Sequence, residues 1–150
     1  MTNALLLLHL LGVVVWVGGM FFAHMALRPT AAELLDPPQR LPLLHGVFSR
    51  FFPWVWISVM LIMSSGVILM VLLGGFKAAL HIHVMLAIGL VMSGIFAYIY
   101  FFPYAGLGRE TAARNWAAAG VAMAKIRRLV GINLILGLTN TCVALLGRML

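Results

Sequence analysis

The chain has 150 residues, of which 64% are hydrophobic and only 9% charged, with ten Lys and Arg against three Asp and Glu. So few polar groups could not cover the surface of a soluble domain of this size, so the composition excludes a water-soluble protein and indicates an integral membrane protein. The positive balance does not indicate nucleic-acid binding, because the basic residues lie between apolar segments, where they set topology. The length suits a single domain over residues 1–150.

Four apolar segments predict an all-α integral membrane protein, a four-transmembrane-helix antiparallel bundle in the lipid bilayer, with spans at about 4–27, 53–74, 78–102 and 129–147. Each segment is long enough to cross a hydrocarbon core of roughly 30 Å. We expect the first segment to be a membrane span and not a cleavable signal peptide, since it lacks a basic start and is as long as a membrane span. Pro29 is expected to end the first span and Pro103 the third. Residues 104–115 are expected to form a polar loop, and a helix is expected to restart near Asn115 and to run into the fourth span.

The link between the first two spans has its own pattern. Pro37 and Pro38 break the helix, and four apolar residues then follow helical spacing: Leu44, Val47, Phe48 and Phe51. Polar side chains lie off that face. The pattern predicts an interfacial segment between helices 1 and 2, lying in the membrane interface.

The basic residues predict the orientation. Eight of the ten flank the first-to-second and third-to-fourth connections, while Lys77 and Arg148 lie on the opposite side. The positive-inside rule therefore places those two connections in the cytoplasm and both termini in the periplasm. Aromatic residues begin the second span and end the third, as an aromatic belt at the cytoplasmic interface would.

The first span carries an ionisable side chain, His9, which is costly in a membrane and therefore a candidate functional residue. Helical spacing places His9, Gly12, Val13, Trp16 and Met20 on one face. An imidazole, a small residue and a large aromatic in this order would fit a flat cofactor that His9 ligates and that lies over Gly12. The alternative is a histidine that hydrogen-bonds a neighbouring helix.

The third span offers a partner for His9. His9 and His83 each lie about five residues into spans that run in the same direction, so we expect them at nearly the same depth, close to the outer surface. Two imidazoles at one level of a four-helix bundle can ligate one iron from opposite sides. The pair therefore predicts a b-type haem.

His81 cannot share a metal with His83, because residues two apart on a helix point about 200° apart. His81 shares its face with Met85, and an imidazole with a thioether suits copper. The simpler interpretation, which we favour at this point, is that His81 lies at the outer interface and faces water, and that Met85 fills the core.

Two further histidines, His24 and His45, are expected near the cytoplasmic interface. They would form a second haem or metal site, or else face lipid head groups. In the fourth span, Asn133, Gly137 and Asn140 form one stripe, which predicts close helix packing with amide hydrogen bonds rather than a cofactor site.

The first span, HLLGVVVWVGGMFFAHMALRP, resembles the opening of the membrane domain of the copper-resistance protein D (CopD) family. RFFPWVWISVMLIMSSG and IRRLVGINLILGL resemble later helices of that domain. The matching positions are His9, Trp16, Gly18, Gly19, Arg28, Arg50, Gly66, Arg128 and Gly131. The resemblance implies copper import or handling at the inner membrane.

The first-helix pattern also resembles the HemJ family of protoporphyrinogen oxidases, four-helix b-haem proteins in which a histidine of the first span and a His-x-Lys pair of the third are important. LHIHVML places His81 at that histidine and His83 at that lysine. The substitution disfavours oxidase activity and favours two histidine ligands.

These observations lead to two hypotheses. The leading one is an inner-membrane b-type haem protein that moves electrons near the periplasmic face through His9 and His83, with a quinol or a periplasmic redox or copper protein as partner. The alternative is a copper transporter or copper-binding protein without haem. A structural subunit is a third interpretation, and a homo-oligomer stays open.

Overall fold

A computed structural model describes residues 2–147 and confirms the all-α bundle. Its four long helices, each long and apolar enough to cross a membrane, are α1 (Thr2–Leu34), α2 (Pro37–Leu72), α3 (Leu80–Ala112) and α4 (Trp116–Leu146). Each predicted span falls largely on one of these helices. All four helices are longer than the spans, because each continues past the apolar segment on the side that carries most of the basic residues.

The helices associate as two antiparallel pairs. Helix α1 packs along α2, and α3 packs along α4; α4 also contacts both α1 and α2, so that the pairs close into one bundle. Trp16 of α1 meets Phe96 of α3 edge to face, with ring centroids 6.1 Å apart, at the centre of the bundle. All four helices therefore contribute to one core.

Pro29 and Pro103 do not end their helices, and the prediction that they do is wrong. The chain forms a π-helical turn at Ala23–Leu27 and a second one at Tyr100–Tyr104, and each helix then continues as an α-helix. A proline inside a helix lacks an N–H and its ring clashes with the carbonyl of the preceding turn. A wider turn at or just before the proline relieves that clash. Residues 104–112, predicted as loop, are accordingly helical.

The predicted interfacial segment is not an element separate from the second span. Residues 37–52 are the first turns of the continuous helix α2, and Leu44 and Phe48 are buried in the bundle, with 1% and 6% of their surface exposed. The amphipathic spacing reflects contact with neighbouring helices instead of lipid head groups. With 36 residues, α2 is about 54 Å long. This exceeds a hydrocarbon core of roughly 30 Å, so its first turns extend beyond the core.

The remaining links are short. Gly74 and Gly75 both have positive φ, of 113° and 60°, which a residue with a Cβ rarely adopts, and they turn the chain after α2. Residues 113–115 join α3 to α4, and the side chain of Asn115 accepts a hydrogen bond from the Ala118 N–H, which begins α4 where the sequence predicted. Arg148, which contributed to the predicted orientation, lies outside the described residues.

The predicted aromatic belt is divided between lipid and core. Phe101, Phe102 and Trp54 are exposed, as belt residues are, whereas Phe52 is buried and Trp56 is half-buried. Phe52 stacks on Phe48 at 5.2 Å and meets Phe96 edge to face at 5.4 Å. The inward-facing aromatics fill the half of the bundle that carries most of the basic residues.

Candidate functional site

His9 contacts α2 and not another histidine. Its Nδ1 lies 3.0 Å from Ser65 Oγ, and its ring covers Gly66, where a Cβ would lie 3.3 Å from His9 Cε1. The Ser65 hydroxyl donates its one proton to the Leu61 carbonyl. Since that proton is committed, we infer that His9 donates from Nδ1 and keeps a lone pair on Nε2, the form in which an imidazole binds a metal.

The space that the sequence assigned to a flat cofactor is filled by α2. Gly12 is buried, and a Cβ there would lie 2.8 Å from Ile62 Cγ1 and 3.1 Å from the Ser58 carbonyl oxygen. Trp16 is buried in the core and does not line an open slot. The predicted face is real, but a porphyrin does not fit over Gly12 in this arrangement.

His81 and His83 point in different directions, as predicted. His81 packs against Gly147 at the end of α4, while His83 Nδ1 lies 3.4 Å from the carbonyl of Ala79, the residue that precedes α3, a weak contact. Met85 is half-buried one turn after His81, and its carbonyl accepts a hydrogen bond of 3.3 Å from Asn140 Nδ2. This end of α3 is therefore tied to α4 beside the His81–Met85 face.

His24 and His45 also face different helices. His24 lies in the π-helical turn of α1 and covers Gly131 of α4, where a Cβ would be 3.2 Å from its Cε1. His45 covers Gly108 of α3, and its ring stacks on Tyr104 with centroids 5.0 Å apart. Each ring has its own neighbouring helix, and a second cofactor site between the two stays a prediction.

Four of the five histidines thus lie over a glycine within or directly after another helix, in the pairs His9–Gly66, His24–Gly131, His45–Gly108 and His81–Gly147. The sequence did not predict these histidine–glycine pairs or the identity of Ser65 as the partner of His9. The contact of His9 with Ser65 does agree with the alternative interpretation, a histidine that hydrogen-bonds a neighbouring helix. The one available signal was that Gly66 and Gly131 are among the positions that carry the family resemblance. A missing Cβ lets a planar ring approach the backbone of the next helix closely.

No group of three His, Cys, Asp or Glu side chains within residues 2–147 is placed to hold a metal ion. A small core cavity of about 20 Å³ lies between Trp16, Phe52, Phe96 and Asn133, and it has room for about one water molecule. A larger apolar groove of about 360 Å³ lies between the end of α1 and the start of α2. Neither is lined by a histidine.

The amide stripe of α4 packs as predicted. Asn133 Nδ2 donates to the carbonyl of Met92 at 3.2 Å, and Asn140 makes the equivalent bond to Met85 seven residues earlier on α3. Gly137, between the two amides, contacts Val17 and Met92. The interpretation of this stripe as an interhelical contact is confirmed.

Comparison with known proteins places the chain in a family. No curated protein and no solved structure matched it. The family described as "Copper resistance protein D" matches residues 45–146, more than half of the 150 residues and parts of all helices except α1. With its four apolar helices, the chain therefore belongs to the copper resistance protein D (CopD) family of membrane proteins.

Proposed function

We propose that this protein binds and moves copper within a bacterial membrane as part of copper resistance. Membership of the copper resistance protein D family carries this proposal. His81 and Met85 are the residues proposed to meet the metal, because they stand one turn apart on one face of α3 near an end of the bundle. Imidazole and thioether are both ligands that copper accepts, and copper is here the substrate.

The surroundings of this pair support the choice. Asn140 of α4 hydrogen-bonds the Met85 carbonyl, and His81 packs against Gly147, so contacts with α4 fix the helix on both sides of the proposed ligands. Contacts that hold a ligand residue in place also orient its side chain toward a bound metal. His9 Nε2, on α1, on which we infer a lone pair, is a further imidazole nitrogen near the same end of the bundle.

Removing either proposed ligand should weaken Cu(I) binding. We expect His81→Ala and Met85→Leu each to raise the Kd of purified protein for Cu(I), measured by competition with a chromogenic chelator, by at least about tenfold. Met60→Leu is the matched control, because Met60 is 63% exposed on the outer surface of α2. Unchanged affinity in both variants, with bound copper in the parent protein, would place the site elsewhere.

Binding of b-type haem by His9 and His83, for electron transfer near the periplasmic face, is the second candidate function. The lone pair inferred on His9 Nε2 favours it, and the filled space over Gly12 disfavours it. A reduced-minus-oxidised spectrum of purified protein distinguishes the two functions. A haem band that is lost in both His9→Ala and His83→Ala and retained in His24→Ala would favour haem binding over copper binding as the function.

We also propose that the protein lies in the inner membrane with both termini in the periplasm. The links at residues 35–36 and 113–115 are flanked by most of the basic residues, whereas Lys77 lies at the other end of the bundle. By the positive-inside rule, alkaline phosphatase should be active when fused after Arg148 or inserted at Gly75, and inactive when inserted at Arg114. The reverse activities would invert the proposed orientation.

A further inference from the structure

Three arginines from three different helices converge at the end of the bundle that carries most of the basic residues. His24 of α1 covers Gly131 of α4, and these helices are antiparallel. One turn onward from His24 is Arg28, and one turn back from Gly131 is Arg127, so both guanidinium groups leave the bundle at the same level. Arg127 and Arg28 lie within electrostatic range of each other.

Arg40 of α2 completes this group. Its Nη1 reaches the carbonyl of Ala32 at 3.5 Å, and Ala32 is one turn beyond Arg28 on α1. Arg40 is also within electrostatic range of Arg28, and both side chains are half-buried. Arg28, Arg40 and Arg127, which we call the arginine cluster, therefore bring three like charges to one place.

Nothing in the described part of the chain neutralises the arginine cluster. The one ion pair within residues 2–147 joins Arg109 to Glu110, at 3.7 Å on α3. Glu33 and Asp36 lie at the same end of the bundle, but both are exposed and neither comes within 4 Å of an arginine nitrogen of the cluster. Like charges held together repel, and an anion between them would remove that repulsion.

A hydrophobic groove adjoins the cluster. It has a volume of about 360 Å³ and lies between α1 and the start of α2. Leu27, next to Arg28, lines it, as does Leu43, three residues after Arg40. A basic site beside an apolar groove suits a molecule with an anionic head and an aliphatic tail.

We propose that the arginine cluster binds the phosphate of an anionic phospholipid, with an acyl chain of the same lipid in the groove. Guanidinium groups bind phosphate oxygens with paired N–H donors, and basic pockets between membrane helices on the cytoplasmic side recognise such head groups. The site is independent of the proposed copper ligands His81 and Met85, which lie at the opposite end of the bundle.

The test is binding of defined lipids to the purified protein in detergent, measured by native mass spectrometry and by the shift in thermal midpoint. Phosphatidylglycerol should bind and raise the midpoint, while phosphatidylcholine with the same acyl chains and inorganic phosphate should not. Phosphate binding as tightly as the lipid would overturn the role of the groove, and equal binding of both lipids would overturn the role of charge.

Variants locate the site. Arg28→Gln, Arg40→Gln and Arg127→Gln should each weaken phosphatidylglycerol binding by about fivefold, the effect of about 1 kcal/mol per basic residue. Arg109→Gln removes the same formal charge from an exposed residue that already pairs with Glu110, and it should leave binding unchanged. Because glutamine at these exposed or half-buried positions preserves the core, the variants should keep the helical circular dichroism of the parent. An equal loss in Arg109→Gln would show diffuse attraction to basic charge and would overturn the proposal.

Discussion

Replacing Gly12 with leucine should separate α1 from α2 and lower the free energy of unfolding by about 3 kcal/mol or more. A Cβ at this position would meet Ile62 Cγ1 at 2.8 Å and the backbone oxygen of Ser58 at 3.1 Å. Ile62 can rotate, but the Ser58 carbonyl belongs to the α2 backbone and cannot move alone. The remaining three carbons of leucine have no space between the helices. The measurement is the midpoint of thermal unfolding in detergent, together with the yield of monodisperse protein.

Gly18→Leu is the matched control on the same helix. Gly18 is exposed, and a Cβ there has no neighbour within 4 Å, so the extra side chain projects toward lipid. We expect a change within about 0.5 kcal/mol. If both variants unfold at the parent temperature, α1 does not pack on α2 through Gly12. Cofactor loss in Gly12→Leu alone would not identify a cofactor site, because loss of the α1–α2 contact has the same result.

Gly12 also shows what helical periodicity can and cannot predict. The spacing of Gly12, Trp16 and Met20 correctly predicted one buried face of α1. What covers that face depends on which helix lies beside it, and no pattern within α1 carries that information. The sequence therefore predicted a cofactor over Gly12, whereas in the structure Ile62 and the backbone of α2 lie there.

The helix ends show a second limit. Pro29 and Pro103 were expected to end α1 and α3, because a proline ring clashes with the carbonyl oxygen one turn earlier in the helix. Both helices instead widen into a π-helical turn at this point and continue. A local rule cannot anticipate this outcome, because packing of the following turns against the bundle stabilises the extra helix: Ala31 and Leu107 are both buried, at 5% and 0% exposure. Near Asn115 the local signal was sufficient, since the cap needs only residues of its own turn.

For the histidines as well, the sequence predicted some features correctly and could not predict others. Their residue type correctly marked positions of unusual polarity, and the spacing correctly separated the directions of His81 and His83. Their partners lie far along the chain: Ser65 is 56 residues from His9. Such a contact follows from the packing of α1 on α2 alone. The amides of α4 were easier, because a polar stripe inside a membrane bundle has few partners other than the backbone of the next helix.

Asn133→Asp should be strongly destabilising, with an expected loss of about 3 kcal/mol. Asn133 is 1% exposed, and its Nδ2 donates to the Met92 carbonyl at 3.2 Å. An ionised aspartate has no N–H to donate, so it would place a negative charge against that carbonyl oxygen. The Trp16 and Phe96 side chains beside the small core cavity offer no compensating charge. Thermal midpoints of the purified variants in detergent measure the loss.

Asn133→Leu removes the hydrogen bond without adding a charge, so it distinguishes the effects of the two changes. Leucine has the same number and branching of side-chain heavy atoms as asparagine, although its two methyl groups are larger, and it also removes Oδ1, which is buried without a partner among the described residues. Interhelical hydrogen bonds in membranes average about 0.6 kcal/mol, and removing an unpaired buried oxygen offsets part of that loss. We therefore expect a change below about 1 kcal/mol. Asn140→Asp, at a half-buried position closer to the helix end, should lie between the two. If leucine at position 133 costs as much as aspartate, then Oδ1 is paired in the folded protein, and the water-sized cavity beside it is where that partner would lie.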